Sequence, residues 1–410
     1  LIEYINNKFM SAEWISSTEA ARRLGVSAAT LYAYVSRGLL RSQGTAGRRE
    51  RRYRADDVAR LKRKRAIGRK AESIAANALD FGTPVLESSL TLIEGGRLYY
   101  RGHDVARLAR SHSLEQVAQL LWECDDRPFD AKNLPAPSAA LRAAWAATAT
   151  LSTVDRCLIL LPAAARWDHP SWVEDRTAMR ETAVRIVRLL TAAVTRESSS
   201  ALPVHEQLAA AWHVPASQAP LIRAALVLSA DHEFNASTFA ARVVASTGAH
   251  LYAATTAGLA AISGPRHGGL TRRVASLFDE LADVDDLESQ LTQAMRHHGR
   301  LPGFGHPLYP DGDMRAATLL GLLHDTLPQS PELAFTERLA AAGERLSAGE
   351  PNIDFATVAL ERTLGLPKDS ALALFLLGRT VGWIAHALEQ AANGALIRPR
   401  ARYIGPRPAA

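Results

Sequence analysis

The sequence predicts an all-α body preceded by a small winged helix-turn-helix domain, and three observations carry that expectation. Alanine is abundant while aromatic residues make up only 6% of the chain, a composition that favours helix over sheet. Long Ala/Leu-rich segments at 176–197, 218–231, 238–260, 271–298 and 368–391 repeat their apolar residues at helical spacing, with short Gly/Pro loops between them. The chain has no strand–helix alternation, no phosphate-binding glycine loop and no internal repeat.

Charge divides the molecule into two parts. The net charge is +6, yet residues 11–70 alone carry +11 and residues 71–410 carry −5. The basic balance therefore belongs to the front, where it points to a polyanionic partner. Leu1 to Phe9 includes Glu3, Asn6, Asn7 and Lys8 and lacks a signal-peptide layout, and Met10 is a candidate start. No stretch approaches eighteen uncharged apolar residues, so no membrane span is expected. Cys124 and Cys157 form no metal-ligand or redox motif, which suits a cytoplasmic protein.

From Ser17 the chain runs STEAARRLGVSAATLYAYVSRGLL. Ser17 or Thr18 can cap a first helix with Ala20, Ala21 and Leu24 on its inner face, and Gly25 ends it. Ser27 can cap a second helix through Leu31, Tyr32 and Val35, closed by Gly38. Two short helices joined in this way form a helix-turn-helix whose second helix can enter a DNA major groove. The following GTAGRRERRYRADDVARLKRKR places Arg48, Arg49, Arg51, Arg52 and Arg54 in a flexible basic wing, with Asp56 capping a third helix. Helix, glycine, helix, basic wing and Asp-Val helix in this order resemble the MerR-like regulators. The resemblance implies DNA binding through residues 10–70. Base-reading side chains would come from Ala28, Thr30, Tyr32 and Arg37, among which the sequence does not choose. The alternatives are that the arginines form only a solvated face, or bind nothing more specific than RNA, since clustered charge supplies only sequence-independent affinity.

In the body, SLTLIEGGRLYYRG breaks the helical pattern with two apolar runs meeting at Gly95-Gly96, a hairpin signal. Four polar clusters follow: ADHEFNAST (230–238), SGPRHGG (263–269), LPGFGHPLYPDGDMR (301–315) and PNIDF (351–355). LGRTVGWIAHALEQ and IRPRARY close the chain. Taken singly, each histidine reads as structural, Arg315 as a surface residue and Asp354 as a helix N-cap. Arg379 differs, because an unpaired charge in an Ala/Leu/Phe-rich helix is costly. Metal binding is not expected: His232-Glu233 lacks a second histidine at helical spacing, and His297 and His298 point to different faces.

Together, in this order, the clusters resemble the citrate synthases and 2-methylcitrate synthases from about residue 80 to 403. The resemblance implies an all-α, two-domain fold, with a large domain at 71–262 and 366–410 and a small domain at 263–365. It implies condensation of acetyl-CoA, or another short acyl-CoA, with oxaloacetate. No cofactor is needed beyond the coenzyme A thioester that is itself the substrate. Such chemistry requires a carboxylate base, imidazoles to stabilise the enol and polarise the acceptor, and arginines to hold a dianion. By resemblance Asp354 is the base, His267 bonds the thioester oxygen and His306 polarises the keto carbonyl. His232 contacts the keto acid from a helix end, and Arg315, Arg379 and Arg398 hold carboxylates. Arg398 would serve a neighbouring subunit's site, which implies a homodimer. Leu301, Pro302, Gly303, Phe304 and Gly305 would contribute backbone to the coenzyme A site.

Two stretches depart from the family. Leu270-Thr271-Arg272-Arg273 stands where relatives usually have Ala-Asn-Glu, and PLYPDGDM replaces a more basic loop, so Arg266, Arg272 or Arg300 would have to meet the coenzyme A phosphates. A rival reading is a transcription factor whose condensing domain only senses a metabolite; retention of all the catalytic side chains favours the enzyme.

Overall fold

The computed structural model describes residues 14–36, 40–44, 51–58, 61, 86–124, 128–129, 134–135, 138–166, 168, 175–298, 300–346, 348–401 and 403–406. The chain divides into two compact units, Leu1–Glu87 and Ser88–Ala410.

In the first unit, helices Ser17–Leu24 and Ala28–Ser36 pack beside a three-stranded antiparallel sheet. Strand Arg51–Arg54 lies centrally, pairing with Trp14–Ser16 and Ser42–Gly44. Ile15, Ala20, Leu24, Leu31, Leu40, Tyr53 and Val58 make its core. The first helix is capped by Ser16, one residue before the expected Ser17 or Thr18. Ser16 ends the preceding strand in extended conformation, and its hydroxyl accepts the Glu19 N–H at 3.2 Å. Gly25 ends that helix in the left-handed region, and the Ser27 hydroxyl caps the second at Thr30 N–H, both as expected. The wing is not wholly flexible: Arg51 and Arg52 are held in register on the central strand. Asp56 does not precede the third helix but sits in its first turn, and its carboxylate pairs with Arg54. Buried Asp57 instead anchors that helix, taking the backbone N–H and two guanidinium bonds of Arg41.

The second unit is helical apart from one small sheet. Thr91–Glu94 pairs antiparallel with Arg97–Tyr100, from Thr91 opposite Tyr100 to Glu94 opposite Arg97, and His103–Asp104 adds a third strand. Gly95 and Gly96 both have positive φ, as a tight hairpin requires. Two expected long helices are each broken in two. Segment 238–260 divides into Ala236–Ala245 and Leu251–Ile262 around Gly248, whose φ is 79°. Segment 271–298 divides into Leu270–Leu281 and Leu287–His298, where Asp286 caps the second half at Ser289 N–H.

The axis of this unit is helix Ser370–Asn393, buried without interruption from Ser370 to Ala387. By length and composition alone it could cross a membrane, yet Arg379 interrupts its apolar run and 94% of its apolar window is buried inside the protein. It packs against helix Ala219–Leu228 and the turn after it at backbone-to-backbone distance. A Cβ on Gly382 would lie 2.4 Å from the Ala230 carbonyl oxygen, and one on Gly378 would lie 2.5 Å from that of Leu226. The Gly382 N–H donates to Ala230 O at 3.1 Å. Helices Leu270–Leu281 and Ile353–Thr363 meet through Phe278 and Phe355, whose ring centroids are 4.9 Å apart, and Phe304 joins Phe355 at 5.2 Å. Because the Ala230 carbonyl oxygen and the side chain of buried Asp231 both obstruct a Cβ at Gly382, Gly382→Ala is expected to lower unfolding free energy by about 2–3 kcal/mol, read as a lower urea midpoint at unchanged m-value.

Candidate active site

The tight crossing at Gly378 and Gly382 sets the floor of a polar cluster. Arg379 lies between those glycines, fully buried, and donates from Nε to the Ser229 carbonyl at 2.9 Å. Its guanidinium stacks over the Phe375 ring at 4.7 Å. Asp231, two residues beyond Ser229, is also buried. Its Oδ2 accepts from Thr91 Oγ1 at 2.5 Å and lies 3.3 Å from His386 Nε2, while the Tyr100 hydroxyl accepts the Asp231 N–H at 3.0 Å. Burial pushes the Asp231 carboxyl up, but His386 and Arg379 outweigh it and hold the group below its usual range. Burial lowers Arg379 to about 10, with Asp231 opposing that shift, so the guanidinium stays charged.

His232 follows in the turn between Ala219–Leu228 and Ala236–Ala245, beyond the helix end at which it was expected. Its Nε2 is 2.9 Å from the Tyr309 hydroxyl, and its ring meets His306 edge-on with centroids 5.2 Å apart. Arg315 lies over the Tyr309 ring at 5.2 Å, and His306 lies 5.1 Å from the same ring. Thus His232, His306 and Arg315 converge on Tyr309, which sequence reasoning did not single out.

Asp313 was also missed, noted only as part of an acidic loop. Its carboxylate grips Arg315 at Nε (2.9 Å) and Nη2 (2.7 Å), caps helix Met314–Thr326 at Arg315 N–H, and accepts Ile353 N–H at 3.0 Å. One carboxylate therefore ties Arg315 to the segment carrying Asp354. Arg315 Nη1 has no hydrogen bond with the protein among the described residues and remains available to a ligand.

Asp354 does not cap helix Ile353–Thr363. Asn352 does, its Oδ1 accepting the Asp354 and Phe355 N–H groups. The Asp354 carboxylate is left without a hydrogen-bond partner among the described residues. Burial pushes it up to about 7, with Arg315 and Arg379 pulling the other way. The histidines move in the opposite sense. Burial, aided by Arg379, lowers His267 to about 4, and burial with Arg315 lowers His306 to about 4. His232 is driven well below 6.5 by burial and the same arginines. All three are neutral imidazoles at pH 7. His306 Nδ1 accepts Leu308 N–H at 3.2 Å, which puts its proton on Nε2.

His267 sits in a turn that only small residues allow, since a Cβ on Gly268 would lie 2.7 Å from the Ile262 carbonyl oxygen. Its Nε2 is 2.7 Å from Ser237 Oγ, which also accepts Trp383 Nε1–H at 3.1 Å, and its ring meets Phe375 at 5.8 Å. Phe375 thereby touches both His267 and Arg379.

The strip Leu301–Gly305 is laced to the approach to Asp354. Gly305 N–H donates to Glu350 O (2.8 Å), Asn352 N–H to Gly303 O (2.9 Å), and Asn352 Nδ2 to Gly305 O (3.1 Å). Leu301 and Phe304 are buried beneath it, and Pro302 is partly covered. Arg398 is not part of this cluster; it is exposed in the extended segment after Asn393. Of the three substitute cations, Arg272 is engaged with Asp369 at 3.0 Å, while Arg266 and Arg300 are exposed. No group of three or more metal-ligating side chains occurs among the described residues.

In the first unit, Tyr32 is 54% exposed with the Arg51 guanidinium 5.8 Å over its ring, and Arg52 is exposed on the same strand. The Thr30 hydroxyl bonds Ser27 Oγ at 2.9 Å and so belongs to the helix cap. Arg37, Arg48 and Arg49 lie outside the described residues.

A polar cluster of three neutral imidazoles, two buried guanidiniums and a carboxylate raised to about 7, set in a helical body, defines an enzyme equipped to move protons at an anionic carbonyl compound. The chain belongs to the citrate synthase family: residues 79–400 match the family model for the citrate synthase C-terminal domain. Residues 14–66 match a helix-turn-helix domain model. Citrate synthase of Haloferax volcanii is 32% identical across 79% of this chain and 94% of its own length. A 2-methylcitrate synthase of Mycobacterium tuberculosis is 32% identical across 75% of this chain and 84% of its own. The match to citrate synthase 2 of Bacillus subtilis is 36% identical but covers 44% of this chain and 50% of that protein. Among solved structures, Thermoplasma acidophilum citrate synthase in ternary complex with carboxymethyl coenzyme A and oxaloacetate aligns with a TM-score of 0.69. That alignment has 26% identity and covers 80% of this chain and 96% of the other.

Removing the Asp313 carboxylate would leave Arg315 buried and unpaired. Asp313→Ala is therefore expected to cost about 3–5 kcal/mol of stability, checked by chemical denaturation.

Proposed function

We infer that this chain condenses acetyl-CoA with oxaloacetate and water to give citrate and free coenzyme A. The observation that carries the reading is the uncapped, half-buried Asp354 carboxylate, raised to about 7 within electrostatic reach of Arg315 and Arg379. Asp354 takes a proton from the acetyl methyl group. A general base poised near neutrality suits a weak carbon acid, because it is both ionised and basic enough to accept the proton. His267 donates a hydrogen bond to the thioester oxygen as the enol forms, with Ser237 Oγ engaging its other nitrogen. His306 offers Nε2–H to the keto carbonyl of oxaloacetate and delivers a proton as the carbon–carbon bond closes. Hydrolysis of the resulting citryl thioester releases coenzyme A.

Arg315, through its unengaged Nη1, and Arg379 hold the carboxylates of oxaloacetate, with His232 as a neutral neighbour. Arg398 serves the site of a neighbouring subunit in a homodimer; its exposure outside the cluster supports that role. The strip Leu301, Pro302, Gly303, Phe304 and Gly305 receives coenzyme A, with Arg266 and Arg300 left to meet its phosphates. The body divides into a large domain (71–262, 366–410) and a small one (263–365), with the site between them. Cys157 is a free, buried thiol, which suits a reducing cytoplasm. Propionyl-CoA differs by one methylene, a difference worth only about 1–3 kcal/mol in a pocket, so 2-methylcitrate formation is the neighbouring activity.

Coenzyme A release, followed with acetyl-CoA and with propionyl-CoA beside an Asp354→Ala control, tests the reading. Turnover is expected with at least one thioester and lost in the control; its absence with both would move the body to a metabolite sensor. Because Asp354 must be ionised to act, kcat/KM is expected to fall about tenfold per pH unit below about 7. His267 and His306, at about 4, stay neutral through that window.

A second role is favoured by the exposed Tyr32–Arg51 pair beside Arg52 on a helix-turn-helix. We propose that the first unit binds duplex DNA. Fluorescence anisotropy of the whole protein is expected to show affinity falling about a hundredfold from 50 to 200 mM salt, as roughly four neutralised phosphates would give. Indifference to DNA at low salt would sink this role.

A further inference from the structure

We propose that Tyr309 is a positioning residue that sets the tautomer of His232, so that His232 presents an N–H donor to the keto acid. The inference rests on the condensation reading above, and it begins from three contacts made by one side chain. The Tyr309 hydroxyl lies 2.9 Å from His232 Nε2, its ring underlies the Arg315 guanidinium at 5.2 Å, and the same ring is 5.1 Å from His306. Tyr309 is almost fully buried, and the turn His306–Tyr309 is closed by Tyr309 N–H donating to His306 O at 3.0 Å. It is therefore a fixed part of the wall rather than a mobile surface ring.

The hydrogen bond between Tyr309 and His232 can run in two directions. If His232 Nε2 carried the proton and donated it, Nδ1 would be a bare lone pair. Nδ1 has no hydrogen bond with the protein among the described residues, so an incoming dianion would meet that lone pair and be repelled. If the Tyr309 hydroxyl donates to Nε2, the proton of the neutral imidazole resides on Nδ1 and faces the ligand as a donor. The Tyr309 hydroxyl has no other hydrogen-bond acceptor among the described residues, and a buried hydroxyl proton left unbonded is costly. Both considerations select the second direction. Burial together with Arg315 and Arg379 keeps His232 neutral, so its tautomer, not its charge, decides what it offers.

Tyr309→Phe removes the hydroxyl and keeps the ring beneath Arg315 and beside His306. KM for oxaloacetate is expected to rise about three- to tenfold, the factor one uncharged hydrogen bond is worth, with kcat and KM for the thioester within about twofold. Nitrogen-15 spectra of the histidine-labelled whole protein, with the His232 signals assigned by their loss in His232→Gln, read the tautomer directly. They are expected to show an acceptor Nε2 and a protonated Nδ1 in the native protein, and loss of that preference in Tyr309→Phe. A protonated Nε2 in the native protein would overturn the proposal. So would native behaviour of Tyr309→Phe with loss only in Tyr309→Leu, since that pattern assigns Tyr309 to packing alone. The spectra do not depend on turnover, and calorimetric oxaloacetate binding replaces KM if neither thioester reacts. Failure of the condensation reading is thereby separated from failure of this one.

Discussion

Two guanidinium groups taken out of water are the constraint around which the catalytic body is arranged. A buried cation without compensation is far too costly to keep, and each of the two is compensated differently. Arg315 has its own carboxylate, Asp313, in a bidentate pair. Arg379 has a backbone carbonyl, an aromatic face and the field of Asp231. The second solution requires two glycines flanking Arg379, because only a bare backbone lets the core helix approach the turn that holds Ser229 and Asp231. Asp231 in turn needs Thr91 and His386, and so the requirement spreads from Arg379 to a hairpin distant in sequence and back to its own helix.

The same cations determine what the neighbouring acids and bases can be. Three imidazoles packed near fixed positive charge cannot also protonate, so they act as neutral donors and acceptors whose direction is set by local bonds. A carboxylate in that setting would ordinarily be held low. Asp354 escapes because burial outweighs the arginines and because Asn352 takes over the helix cap. This division of labour between residues two positions apart leaves Asn352 holding the helix end and the Asp354 carboxylate unengaged.

Much of this was legible in the sequence, and the failures have physical causes. The Gly-Gly hairpin, the Gly25 stop and the core helix followed from backbone preference and periodicity, which are local properties. The breaks within 238–260 and 271–298 were missed because their apolar residues keep helical spacing through a short turn. Asp354 alone looked like a cap because its residue type and position suit one; the structure puts Asn352 in that place. Tyr309 and Asp313 were overlooked because their importance lies in contacts with His232, Arg315 and Ile353, which no spacing rule encodes. Thr30 stands among four candidate base-reading side chains, and spacing does not encode the bond that its hydroxyl makes with Ser27.

The hydrogen bond from Thr91 to Asp231 bears on how the two units could be separated. The catalytic unit begins at Ser88, and Ser89 already donates its N–H and hydroxyl to Glu389. Only three residues, Ser88 to Leu90, stand between the boundary and Thr91. A protease or a gene truncation that cut beyond them would remove a support for Asp231, and with it the field that balances Arg379. The enzyme body therefore tolerates almost no trimming past Ser88.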